Sequence, residues 1–205
     1  MTRDPLNLRL LNENHTGKYD FPIITRYTAK VPSEIIPFNY ARTHFDKKVG
    51  VHFFIEDYQF ERVWRFPDRY VPLLREYECV FTPDFSLYVD MPLSLKIYNV
   101  YRNRVLGHYW QQQGIKVVPT LQWADHRTFD FCFTGIEPGG IVAVSTLGSA
   151  KNPISRGYWI AGMQKAIDVL HPDTILLYGT PIDFDFGEVK VIHYDNDILN
   201  RLRHK

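Results

Sequence analysis

Short apolar runs recur along this chain with helix-forming segments between them, and this alternation limits the fold more than any other feature of the sequence. The clearest run, Val49-Gly50-Val51-His52-Phe53-Phe54-Ile55, is apolar on both of its alternating faces. A strand of that kind must be covered on both sides, which is the environment of a parallel sheet under helices. Glu34–Asn39, Cys79–Thr82, Ile115–Leu121, Ile141–Thr146, Ile175–Tyr178 and Val189–Tyr194 are further runs of strand length.

The segments between these runs read as helices. Gln59–Tyr77 places Phe60, Val63, Trp64, Val71, Leu74 and Tyr77 at helical spacing interrupted by Pro67 and Pro72, which predicts two short helices. Asp90–Gln113 predicts one long helix, with Asp90 as N-cap, Pro92 in the first turn and Gly114 as a left-handed C-cap. A helix over Ile154–Leu170 and a last one over Asn196–Arg203 complete the series. The fold class is therefore α/β, with mostly parallel strands alternating with helices. Nearly every strand exit carries polar residues, whereas an open doubly wound sheet concentrates them at one switch point, so a barrel-like or incomplete (β/α) barrel is the expected form.

The 205 residues contain no internal linker rich in Gly, Ser or Pro, which predicts a single domain over 1–205, with residues 1–34 as an N-terminal arm. A net charge of +1 gives no global field toward DNA or an anionic membrane, so any nucleic-acid contact needs a local patch. Cys79 and Cys132 lie in separate apolar runs and read as buried free thiols, as in a reducing cytoplasm. No segment reaches the roughly 20 apolar residues of a membrane helix, and the first twenty residues lack a signal-peptide core. The expected location is cytoplasmic, with no membrane partner.

Parallel strands bring their exit residues to one face. That set contains Asp57, Asp84 with Ser86, Trp123 with Asp125 and His126, Ser145 with Thr146 and Lys151, then Tyr178 and Asp183. Carboxylates gathered in a cleft push each other's proton affinities apart and serve general acid-base or nucleophilic chemistry. Asp84 and Asp125 are the catalytic candidates, and Asp57, Ser86, Arg102, Trp123, Thr146, Lys151 and Tyr178 the substrate-binding ones. The competing structural reading is that an Asp after a strand caps the next helix or bonds a turn.

Gly148-Ser149-Ala150-Lys151 stands between a strand and a helix, where backbone amides could cradle a phosphate, although neither a Walker loop nor GxGxxG is present. The histidines and cysteines show no metal-ligand spacing, and His52 and His193 read as core histidines. No cofactor is specified. Along the long helix, Lys96, Tyr98, Arg102, Arg104, His108 and Trp110 interleave basic and aromatic residues, which suits either phosphate and base contacts or a mixed structural surface.

The blocks TPDFSLYVDMPL, NVYRNRVLGHYWQQQGIKVVPTLQW and GGIVAVSTLG together resemble a family of bacteria, phages and mobile elements known as domain of unknown function 4417, over about Ile36 to Gly179. The resemblance implies a prophage or plasmid setting and brings no activity, cofactor or catalytic residue. Gly139–Val144 is also loosely similar to the glycine-rich base-binding strand of base-exchanging transglycosylase barrels, whose cysteine-rich zinc motif this chain lacks.

Two functions fit these readings. One is an enzyme acting on a nucleotide or nucleic-acid base, with Asp84 as nucleophile or general base, Asp125 as second carboxylate, Trp123 and Tyr178 stacking on the base, and Arg102 or Lys151 meeting a phosphate. The other is a non-catalytic protein that binds nucleic acid or a host protein through helix 90–113.

Overall fold

A computed structural model describes residues 4–11 and 15–195. The last helix expected over Asn196–Arg203 lies outside them. The elements run in the order β1 (His15–Thr16), β2 (Phe21–Pro22), β3 (Ile35–Pro37), β4 (Gly50–His52), α1 (Asp57–Arg65), α2 (Pro67–Leu74), β5 (Cys79–Phe81), α3 (Leu93–Gln112), β6 (Val117–Val118), β7 (Ile141–Ser145), α4 (Pro153–Leu170), β8 (Thr174–Tyr178) and β9 (Lys190–Tyr194).

Strands β3-β4-β5-β6 and β7-β8-β9 form two parallel ladders in sequence order. The ladders meet where Leu121 N–H donates to the Ala143 carbonyl at 2.7 Å and Ala143 N–H to the Pro119 carbonyl at 2.9 Å. The mixed α/β architecture with parallel sheets is as the sequence predicts. No ladder joins β3 to β9 among the described residues, so no closed barrel is formed there.

The sheet is nevertheless strongly curled. Four strand spacings separate β4 from β8, which in a flat sheet is about 19 Å. Yet the His52 ring at the end of β4 lies 4.6 Å from that of Tyr178 at the end of β8, and Phe54 stacks on Tyr178 at 5.1 Å. Tyr194 of β9 likewise donates its hydroxyl to the Pro32 carbonyl, ahead of β3, at 2.5 Å. Ile35, Cys79, Phe81, Val118, Ala143, Leu176 and Tyr178 form the apolar cluster on this inner face. Burial holds His52 neutral, its pKa lowered to about 3.

The helix boundaries have local causes. Pro67 opens α2 at its first turn, which separates it from α1 as expected. The long helix starts three residues later than predicted, at Leu93 with Pro92 as N-cap, and Asp90 is exposed in the preceding turn rather than capping. Gly114, at φ +75°, ends it as predicted. Asn152 caps α4, its side chain accepting from the amides of Ile154 and Ser155.

Against one of its two sequence readings, helix α3 presents no basic surface stripe along its buried stretch. It is wedged between two apolar clusters, contributing Val105, Leu106, Tyr109 and Trp110 to one and Val100 to the other, so it is covered on every side from Arg102 to Trp110, while its first turn, Leu93 to Leu95, is exposed. Its cations are paired inside the fold, although the Arg102 Nε is buried without a hydrogen-bond partner. Arg104 donates to the carbonyls of Thr134 at 2.8 Å and Cys132 at 2.5 Å and to Asn103 Oδ1 at 2.5 Å. Burial lowers its pKa to about 10, which leaves it charged at neutral pH. Arg102 pairs with Glu61 at 2.8 Å and lies 3.7 Å over the Phe85 ring. Neither guanidinium faces a partner outside the fold.

The N-terminal arm adds the antiparallel pair β1–β2 and then runs beside residues 135–141. Ile24 N–H donates to the Gly135 carbonyl and Glu137 N–H to that of Ile24, while the Arg26 guanidinium and amide both bond the Glu137 carboxylate. Ile141 N–H donates to the Tyr27 carbonyl, tying the arm to β7.

Candidate functional site

A cavity of about 280 Å³ opens where β5, β6 and β7 end. Its floor and walls come from the loop after β5 (Asp84, Ser86), the loop after β6 (Gln122, Trp123), the end of β7 (Ser145) and the first turns of α4 (Ser155, Tyr158, Trp159). This is the face where ligands of parallel α/β proteins bind, and the volume is at the small end of ligand pockets, roughly 300–1,000 Å³.

Asp84 is the chemically distinctive group. Its half-buried carboxyl lines the cavity and makes no hydrogen bond or ion pair among the described residues. Burial, and secondarily the charge of Asp57, raises its pKa to about 7. An acid at that value gives and takes protons with nearly equal ease at neutral pH.

The loop that carries Asp84 is fixed from below. Asn103 of α3 donates to Thr82 Oγ1, the Pro83 carbonyl and Gln122 Oε1, all at 2.9 to 3.0 Å, and is itself held by Arg104. Gln122 then donates to the Phe85 carbonyl at 3.1 Å. Asp57, at the start of α1, accepts from the Ser86 hydroxyl at 2.8 Å and from its amide. Among the sequence candidates, Asp84, Ser86, Trp123 and Ser145 thus meet in one cavity, with Asp57 behind Ser86.

Asp125 is built differently. It is 5% exposed, accepts from Lys96 Nζ at 3.1 Å and from Arg127 at 2.6 Å, and bonds the Arg127 amide as the cap of a short 3-10 helix. Arg127, and then Lys96, hold its pKa down to about 2. Lys96, itself fully buried, and Arg127 also donate to the Val89 carbonyl, so this cluster pins the cavity rim at Tyr88–Val89.

The remaining candidates stand outside the cavity. Thr146 is buried with its hydroxyl on the Tyr178 carbonyl, Tyr178 is stacked inside the sheet, Arg102 is paired with Glu61, and Lys151 and Asp183 are exposed. The Gly148 loop is self-satisfied: the amides of Leu147, Ser149 and Ala150 bond Ser145 Oγ and the Thr146 carbonyl, and those opening α4 bond Asn152. Gly139 and Gly140 turn the chain at the start of β7, the end opposite the cavity. Among the described residues no group of three or more His, Cys, Asp or Glu is arranged to hold a metal.

Sequence reasoning missed Gln122, Tyr158 and Trp159. Ser155, Tyr158 and Trp159 stand at i, i+3 and i+4 in α4, a spacing that puts them on one helix face toward the strand ends. Trp123 seats against the bare backbone of Gly162, where an added Cβ would lie 2.1 Å from Trp123 Nε1. Gly162→Ala should therefore displace Trp123, lower stability by about 1–3 kcal/mol and shift the tryptophan emission. An unchanged spectrum with unchanged melting would show that the indole is not seated there.

With this architecture and cavity in view, the comparisons with known proteins define the class. The chain belongs to the family described as domain of unknown function 4417, whose model matches residues 13–195. It is similar to the Gene 1 protein of Mycobacterium phage D29, 41% identical over 179 residues covering 86% of this chain and 66% of that protein. It is also similar to the Gene 1 protein of Mycobacterium phage L5, 40% identical over 194 residues covering 91% and 83%. No solved structure matches. The family and its phage setting are as the sequence resemblance implies, and the likeness of Gly139–Val144 to transglycosylases has no counterpart in these comparisons.

Proposed function

We propose that this chain is a phage or mobile-element enzyme acting on a nucleobase or nucleotide, with Asp84 as its general acid or base. The observation that carries the reading is the unpartnered carboxyl of Asp84, pushed up to about 7, in the cavity at the ends of three parallel strands. Trp123 and Trp159, with ring centroids 6.1 Å apart, give the cavity the aromatic walls on which a planar heterocycle stacks. Ser86, bonded to Asp57, sets the distance between the two carboxyl groups. Asp125 supports the site as a positioning residue, through Lys96 and Val89.

The strands act as an incomplete (β/α) barrel in a single domain, a reading supported by their sequence order and by the contact of Tyr178 with His52. Two buried free thiols suit a reducing cytoplasm, and no helix among the described residues is long and apolar enough to cross a membrane.

Incubation with nucleosides and short oligonucleotides across pH 5–9, with chromatography and mass spectrometry to detect base release, exchange or modification, tests the proposal. Conversion by the wild type with a pH dependence centred near 7, abolished by Asp84→Asn, is the expected result. No conversion of any member by the wild type removes the enzymatic reading.

A further inference from the structure

The lining of the cavity has already spent most of its hydrogen-bond donors on the protein. Trp123 N–H goes to the Tyr158 carbonyl at 3.0 Å and Trp159 N–H to that of Ser145 at 2.9 Å, so both indoles offer only their faces. The Ser86 hydroxyl and amide go to Asp57, and Gln122 donates to the Phe85 carbonyl. The amides of Ser149 and Ser155 are likewise taken, by the Thr146 carbonyl and Asn152 Oδ1.

Among the described residues no lysine, arginine or histidine lines the cavity. Three flanking cations are committed elsewhere, Lys96 and Arg127 to Asp125 and the Val89 carbonyl and Arg156 to the Ala150 carbonyl at 2.6 Å, while Lys151 is exposed outside the lining. What remains is the Asp84 carboxyl, the lone pairs of Ser86 Oγ, the Gly148 amide, and the hydroxyls of Tyr88, Ser145, Ser149, Ser155 and Tyr158, which accept as readily as they donate. A phosphate brought here meets a carboxyl without a counter-charge and sets acceptor against acceptor. A ligand rich in N–H groups meets partners for each of them.

From this inventory we infer that the cavity takes a neutral or cationic, hydrogen-bond-donating nitrogen heterocycle in unphosphorylated form, a free amino-substituted base or its nucleoside, and rejects the nucleotide. The inference rests on the reading of the cavity as a nucleobase site and narrows it. The bonding of the Leu147, Ser149, Ala150, Ile154 and Ser155 amides within the loop and the α4 cap agrees with it.

Isothermal titration at pH 8 with matched sets tests it: adenine, adenosine and adenosine monophosphate, then cytosine, cytidine and cytidine monophosphate. In at least one set the base or nucleoside should bind at least tenfold more tightly than the monophosphate. That binding should weaken at least tenfold at pH 5.5, where Asp84 is protonated, and in Asp84→Asn, whose thermal unfolding checks that it is folded. A monophosphate that binds as tightly as its nucleoside, or base binding indifferent to both pH and Asp84→Asn, overturns the inference while leaving a nucleobase site standing. Failure of every base, nucleoside and monophosphate to bind at millimolar concentration overturns the nucleobase reading itself.

Discussion

Replacing Asp125 by Asn will destabilise the protein by about 3–5 kcal/mol at pH 7, because it leaves the Lys96 ammonium, fully buried on α3, without its counter-charge. Lys96 keeps only the Val89 carbonyl as partner. The pH dependence comes from the same contacts. Arg127, then Lys96, hold the Asp125 pKa at about 2 against its ordinary 3.8. A carboxyl whose pKa is depressed on folding contributes stability that is present in full above its unfolded pKa and is lost as the pH falls through the folded one. The wild type should therefore lose this contribution between about pH 4 and pH 2, and the variant should show a flatter acid limb in urea unfolding. The double substitution of Lys96→Met with Asp125→Leu should recover most of the loss, since an apolar pair of similar volume replaces the buried ions. Should Asp125→Asn leave the unfolding midpoint unchanged and still abolish turnover, the carboxylate belongs to the chemistry rather than to the scaffold.

Asp84→Asn should do the reverse. Burial, with the Asp57 charge beside it, raises this carboxyl to about 7, so ionising it in the folded protein is costly. Because the folded pKa lies above the unfolded one, the wild type carries no penalty below about pH 4, accumulates it between pH 4 and 7, and bears it in full above. At about 1.4 kcal/mol per pH unit of displacement, discounted for the carboxyl's partial contact with water, the penalty is about 1–3 kcal/mol. Asparagine removes it. Thermal unfolding at pH 8 should rise by several degrees in the variant, with no difference from wild type at pH 4, while conversion of substrate is lost. A variant that melts lower than wild type at pH 8 would mean that the carboxylate holds the loop together.

These opposite expectations for two aspartates mark where the sequence is legible. The alternation of apolar runs and helices can be read directly because burial on both faces leaves a pattern within each run, as at Val49–Ile55 and Ile141–Thr146. The exit face is legible too, since parallel strands necessarily gather the residues at their C-terminal ends, and Asp84, Ser86 and Trp123 do meet there. What the one-dimensional pattern cannot carry is pairing. Asp125 and Asp84 look alike as aspartates after strands, and it takes the turning back of Arg127 and the arrival of Lys96 from 29 residues away to separate a neutralised carboxylate from a free one. The same holds for Arg102 and Arg104, whose charges suggest a surface until Glu61 and the carbonyls of Cys132 and Thr134 close on them. Tyr158 and Trp159 escape notice because aromatic residues inside a helix read as part of its packing face.

The docking of the arm sets an order of events during synthesis. Arg26 leaves the ribosome early, yet its partner Glu137 lies 111 residues further on. At about 5–20 residues per second, that interval is roughly 6–20 s. For that time Arg26 and Tyr27 lack their partners, while β2 can pair with β1, Thr25 with Gln111 of α3, and β3 to β6 with one another. The arm thus closes in two stages, first on α3 and then on residues 135–141, and a nascent chain arrested before residue 131 would leave Phe21 without the Phe131, Cys132 and Phe133 of its cluster, open to whatever chaperone or protease is at hand.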